Sequence, residues 1–248
     1  MQQASQRAGV RGPTFIRLLA RLTDVDVRAS RQSLSDRLGQ WLDWTHAVAL
    51  STALDGKPTE LAADTPIFGS AEADECARVR RSLVDAMVSD AIFAASPLCG
   101  LAHALVEEAG PGDGVDYAVF RQRYLTLQRS MQAATGKLRG RLRDVLAQQS
   151  SHLARLAEVD ALMERVLSPR EQALLARVPA LLGDRFERLR QAEQKALADA
   201  VPTMMMPGAW LDVFRRDVQS VLLAELDVRF HPVEGLLAAL RTPSVEAS

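Results

Sequence analysis

"FRQRYLTLQRSMQAATGKLRGRLRDV", residues 120–145, decides the fold class. Each residue of an α-helix advances about 100° around the axis. On that wheel Phe120, Tyr124, Leu127, Met131, Ala134, Leu138, Leu142 and Val145 all fall within a sector of roughly 80°. A bearing kept over so many turns predicts a long, nearly straight helix. Its apolar edge must pack in an antiparallel bundle or coiled coil. Gly136 and Gly140 lie off the stripe. They mark either a break at Thr135-Gly136 or the close approach of a second helix.

The same reading, carried outward, predicts helices and no strand. In "TFIRLLARL" (14–22), Phe15, Leu18, Leu19 and Leu22 share a side. A helix capped by Ser30 is expected to reach about Leu54, with a narrow seam at Leu34, Leu38, Trp41, Thr45, Val48 and Thr52. Residues 55–71 read as a loop. From Glu72 to about Ala95 a helix uses Cys76, Val79, Leu83 and Met87, and Ser96-Pro97 opens a short one to about Glu108. "SSHLARLAEVDALMERVL" (150–167) is expected to stop at Ser168-Pro169-Arg170-Glu171, where a capping serine, a first-turn proline and a third-position glutamate coincide. From Pro169 a helix runs to about Ala200, kinked or divided by Pro179. "AWLDVFRRDVQSVLLAELDVRF" (209–230) is the last long helix, and His231-Pro232 starts a short terminal one. The expected fold is all-α: a helical bundle with long antiparallel helices and coiled-coil-like packing. It forms a single helical domain over 12–241, with disordered tails at 1–11 and 242–248.

Composition agrees. The 248 residues are 48% apolar but only 5% aromatic, a mix that suits helix-on-helix packing better than a β-sandwich. Cys76 and Cys99 are too few for a disulfide framework and read as reduced thiols of a cytoplasmic protein. The N-terminus lacks the apolar core of a signal peptide. The longest uncharged run, 91–106, is short for a bilayer and is interrupted by Ser96-Pro97.

Charge is sorted along the chain. Counting Lys and Arg against Asp and Glu, residues 1–53 carry +3, 54–116 carry −8, 117–148 carry +6, 149–200 balance, and 201–248 carry −2. An acidic block thus precedes a basic one, and antiparallel packing of the two would answer much of the basic charge internally. The basic block supplies the candidate contacts for a partner or an anion: Arg121, Arg123, Arg129, Lys137, Arg139, Arg141 and Arg143. The four between 137 and 143 border the apolar stripe, where arginine stems cover a seam while their heads meet carboxylates or water. The competing reading is a basic face over 121–143 that binds nucleic acid or another polyanion. A net charge of −1 and the lack of aromatics interleaved with the 137–143 cations weigh against it.

Other constellations fall short of a site. Cys99 and His103 have a metal-ligand spacing, but two ligands are not a site. His46, His103, His152 and His231 are scattered. Asp24, Asp26, Asp36 and Asp43 suggest helix capping before divalent-cation binding. Met204-Met205-Met206 is a soft apolar patch, either filler or a partner contact. No nucleophile elbow or phosphate loop is present, and "GPGDG" (110–114) is a turn. No catalytic residue, metal ligand or cofactor is therefore expected.

"GPTFIRLLARLTDVDV", "SRQSLSDRLGQWLDWTHAVALSTAL" and "WLDVFRRDVQSVLLAELDVRFHPVEGLLAAL" resemble an uncharacterised bacterial family of helical proteins. It is the domain of unknown function numbered three-three-four-eight. "FRQRYLTLQRSM" and "VPALLGDRFERLR" fit it as well, so the resemblance spans about Gly12 to Leu240. It implies no catalytic residue. It implies company: members tend to be encoded in gene clusters beside membrane proteins with an OmpA-like, peptidoglycan-binding end, so a cytoplasmic accessory to an envelope complex is expected. The functional expectation is a non-enzymatic scaffold or accessory subunit working through helix surfaces, with protein partners and room for homo-oligomerisation. An enzyme with a pocket in the bundle core is the other class.

Overall fold

The computed structural model describes residues 14–24, 32–55, 70–94, 115–199 and 208–241. Within them the chain is helical and has no strand. The helices are α1 (Thr14–Thr23), α2 (Leu34–Trp41), α3 (Trp44–Asp55), α4 (Ala71–Val88), α5 (Tyr117–Gln149), α6 (Ser151–Leu175), α7 (Val178–Asp199) and α8 (Ala209–Arg241). The expected tails, the Ser30 cap, the 96–108 helix, the Cys99/His103 pair, the "GPGDG" turn and the Met204–Met206 patch lie outside the described residues.

Helix α5 is one unbroken rod, so the break at Thr135-Gly136 does not occur. Asp116 starts it by accepting the Ala118 N–H at 2.8 Å. Its buried residues are Phe120, Tyr124, Leu127, Met131, Thr135, Leu138, Leu142 and Leu146. Six belong to the predicted stripe. Thr135 and Leu146 take the places of Ala134 and Val145, which pack half-buried at its edge. The buried positions recur every 11 residues, as in Phe120–Met131–Leu142 and Tyr124–Thr135–Leu146. That spacing is about 3.67 residues per turn, close to the natural helical period. The Thr135 hydroxyl is satisfied in the core by the Met131 carbonyl at 2.8 Å.

One residue, Ser150, separates α5 from α6, and its side chain caps α6 by accepting the Leu153 N–H at 3.2 Å. The two helices then run antiparallel: Arg139 and Arg143 both meet Asp160 and Glu164, while Gln128, three turns earlier on α5, reaches the Leu175 carbonyl further along α6. After a turn at Ala176-Arg177, α7 continues along the remaining length of α5, where Tyr117 bonds the Pro179 carbonyl. The Gly183 Cα lies so close to Tyr117 that a side chain there would start 2.9 Å from the ring. Helix α8 is antiparallel to α4, with Arg80 on Asp227, Gln219 on the Met87 carbonyl and Arg215 on the Ile92 carbonyl. It also packs on α1, α5, α6 and α7. Since α4 is antiparallel to α5 as well, through Glu75–Arg141 and Asp90–Arg123, α5 and α8 run parallel at the centre. Leu211, Phe214, Val218, Val221, Leu222, Phe230 and Leu237 are among the α8 residues that fill the core. At its end Phe214 packs edge to face on both Phe120 and Phe186, with Phe120 and Phe214 centroids 5.3 Å apart.

Four expected boundaries are corrected. The helix expected from Glu72 to about Ala95 ends at Val88, where the Ser89 N–H closes the last turn on the Asp85 carbonyl. The helix expected from Ser30 to Leu54 is divided at Leu42-Asp43. Ser33 and Asp36 form a capping box for α2, and Asp43 receives the His46 N–H at 2.8 Å to start α3. The stop at Ser168-Pro169 is absent: α6 passes through Pro169 to Leu175. Likewise α8 passes through Pro232, so no separate terminal helix begins at His231. In both, burial beyond the proline (Leu175 in α6; Val233, Leu236, Leu237 and Leu240 in α8) outweighs one lost backbone hydrogen bond. Asp24 closes α1 in a left-handed conformation (φ 53°) that aspartate tolerates. No helix among the described residues is long and apolar enough to cross a membrane.

Candidate functional site

The basic helix comes first. Arg139 lays a two-pronged fork on Asp160, Nε to Oδ2 at 2.8 Å and Nη2 to Oδ1 at 2.6 Å. Arg143 donates to Asp160 at 3.1 Å and to Glu164. Burial opposes the Arg143 charge, but these two carboxylates outweigh it and raise its pKa. Arg141 is bound by Glu75 and Arg123 by Asp90. Among the described residues the 54–116 block answers two of these four arginines, and α6 answers the other two. Arg121, Arg129 and Lys137 are exposed and make no ion pair among the described residues. They are spaced eight residues apart, about 12 Å along the axis. That exceeds a Debye length of about 8 Å at physiological salt, so each acts singly.

Behind the arginines lies a groove of about 410 Å³ between α5, α6 and α8. Gln132, Gly136 and Arg139 line it from α5, Glu164, Arg165, Ser168, Pro169 and Glu171 from α6, and Arg229 and Pro232 from α8. Both in-helix prolines thus border one groove. Its inner end is a buried polar network that sequence reasoning missed. Glu225 has no exposed surface, and Arg229 is almost as deeply buried. Arg229 donates to Glu225 Oε1 through Nε at 2.9 Å and Nη2 at 2.8 Å. Tyr124 donates to Oε2 at 2.7 Å, and Gln128 bridges Glu225 and the Leu175 carbonyl. Burial, then the Glu225 charge, pushes the Tyr124 phenol well above its usual pKa. The available signal was Glu225 and Arg229 four apart on an otherwise apolar face.

The third feature is α3. It buries no residue fully, and its predicted seam is not covered: Thr45, Val48 and Thr52 are exposed. Trp44 is 84% exposed and Val48, one turn on, is 49% exposed. The opposite side of α3 rests on α6, where Arg155 donates to the Leu54 carbonyl. Arg170 of α6 also stacks 5.4 Å from the Trp41 ring of α2. Trp44 lies outside the seam expected from the sequence, and it opens α3 directly after the break at Leu42-Asp43.

The described histidines do not converge, and Cys76 is buried. Among the described residues no group of three or more His, Cys, Asp or Glu is placed to hold a metal ion. A family model described as "Protein of unknown function (DUF3348)" matches residues 1–242. No curated protein and no solved structure matches the chain.

Proposed function

The chain belongs to the family described as Protein of unknown function (DUF3348), and we propose that it is a non-enzymatic helical scaffold or accessory subunit of a cytoplasmic or envelope-associated protein complex. The observation that carries this reading is the outer face of α3. A tryptophan left 84% exposed one turn from an exposed valine, on a helix backed by α6, is an apolar anchor with no cover among the described residues. Tryptophan anchors of this kind dominate protein–protein contact energy. Binding of a polyanion through 121–143 is the second reading, and what favours it is that Arg121, Arg129 and Lys137 make no ion pair among the described residues.

Affinity capture from native cells, run in parallel with the unaltered chain and the Trp44→Ser/Val48→Ser variant, tests the first reading. A membrane-associated protein should be enriched by the unaltered chain and lost with the variant, while circular dichroism stays the same. Equal recovery by both, or no enrichment over a bare matrix, counts against it. On a heparin column the scaffold reading expects elution near physiological salt. Retention at several-fold higher salt, lost on replacing Arg121, Arg129 and Lys137, would favour the polyanion reading instead.

A further inference from the structure

We propose that the α5–α6–α8 groove binds a small oxyanion, the carboxylate or phosphate group of a metabolite-sized molecule. Its volume of about 410 Å³ suits such a ligand. The argument is one of donors left over. Arg139 and Arg229 each spend Nε and Nη2 on one carboxylate, Asp160 and Glu225. That clamp fixes the plane of each guanidinium and leaves Nη1. Among the described residues the Arg139 Nη1 has only Glu164 at 3.7 Å, and the Arg229 Nη1 has only Glu171 at 3.5 Å. Both contacts are too long for a good charge-assisted hydrogen bond, which sits near 2.8 Å.

Glu164 is further drawn off by Arg143, and the Glu171 side chain is 40% exposed and free to swing outward. Arg165 and Ser168 line the same groove and make no side-chain hydrogen bond or ion pair among the described residues. Two pre-oriented guanidinium edges, a third arginine and a hydroxyl therefore face one space. The lining carries three arginines and two glutamates, and Asp160 and Glu225 already hold two of those arginines, so what favours an oxyanion is the unspent donor edges and not the net charge. This inference is independent of the α3 face.

Gly136 makes a clean test. It lines the groove, and a Cβ built there meets nothing within 4 Å. Gly136→Leu should thus carry a side chain into the groove from an unobstructed Cβ, in a helix that prefers leucine to glycine. Arg165→Ala removes one exposed cation. Isothermal titration and thermal melting are run with inorganic phosphate and with malonate, against chloride at equal ionic strength. The expected result is saturable binding of at least one oxyanion with a rise in Tm. Binding should be lost in Gly136→Leu and weakened about tenfold in Arg165→Ala. No saturable binding of either probe at millimolar concentration, or unchanged affinity in Gly136→Leu, overturns the proposal. Because Arg165 is exposed, its variant keeps the test decisive even if the leucine perturbs the helix.

Discussion

A carboxylate with no exposed surface persists in this core because Tyr124, Gln128 and Arg229 all donate to it. Removing one partner of a buried ion pair strands the other. Glu225→Ala should therefore cost about 3–5 kcal/mol in urea unfolding, since Arg229 is left charged and buried. Tyr124→Phe should cost about 1.5–3 kcal/mol, because it deletes only one hydrogen bond to a charged group. Replacing Glu225 and Arg229 together by leucine should cost less than Glu225→Ala alone. Two glycines make a second pair of contrasts. Gly136→Ala should stabilise by about 0.5–1 kcal/mol, as nothing opposes its Cβ. Gly183→Ala should destabilise by about 1–2 kcal/mol, because its Cβ would sit 2.9 Å from a Tyr117 ring pinned by the Pro179 carbonyl and by Phe186.

At the scale of elements, the stripe on α5 was legible because burial on one side imposes a period and the period survives in the residue order. Six of its eight named positions are core. Ala134 and Val145 were mistaken for core because a fixed 100° step cannot see the slow drift of an 11-residue repeat. The proline boundaries were illegible for a different reason. Ser168-Pro169-Arg170-Glu171 carries every local mark of a helix start, yet local marks contribute about 1 kcal/mol each. The apolar contacts of α6 on both sides of the proline are worth more. The buried network was hidden because its members lie on three helices, and only the parallel setting of α5 and α8 brings Tyr124 to Glu225. Continuous helices make a sharp prediction. With Pro169 and Pro232 inside helices, Pro169→Ala and Pro232→Ala should each raise stability by about 1–3 kcal/mol, the restored helical bond less the greater freedom of the unfolded chain. Were Pro169 at a first helical turn, alanine would bring no gain, and chemical unfolding distinguishes the two.

For the whole molecule, four of the seven cations named on the basic helix are balanced internally by described residues. The basic helix is flanked by α4 and α6, and each supplies carboxylates to it. Alkaline pH probes the same interior. The chain has two tyrosines, both in α5. Burial pushes Tyr117 up to about 12 and Tyr124 well above its usual value near 10. Unfolded tyrosines release their protons near pH 10 while the folded ones hold theirs, so the native state binds more protons there and stability falls as pH rises beyond 10. Tyrosinate absorbance should accordingly appear together with loss of helix, and absorbance at pH 10 with the helix intact would contradict the burial of both rings. The claim under all of this is that α5 is a single rod enclosed by its neighbours. Hydrogen–deuterium exchange along residues 121–149 tests it most directly. Uniformly slow exchange through Met131–Leu138, matching α8, is the predicted result; fast exchange at Thr135–Lys137 with protected segments on either side would contradict it.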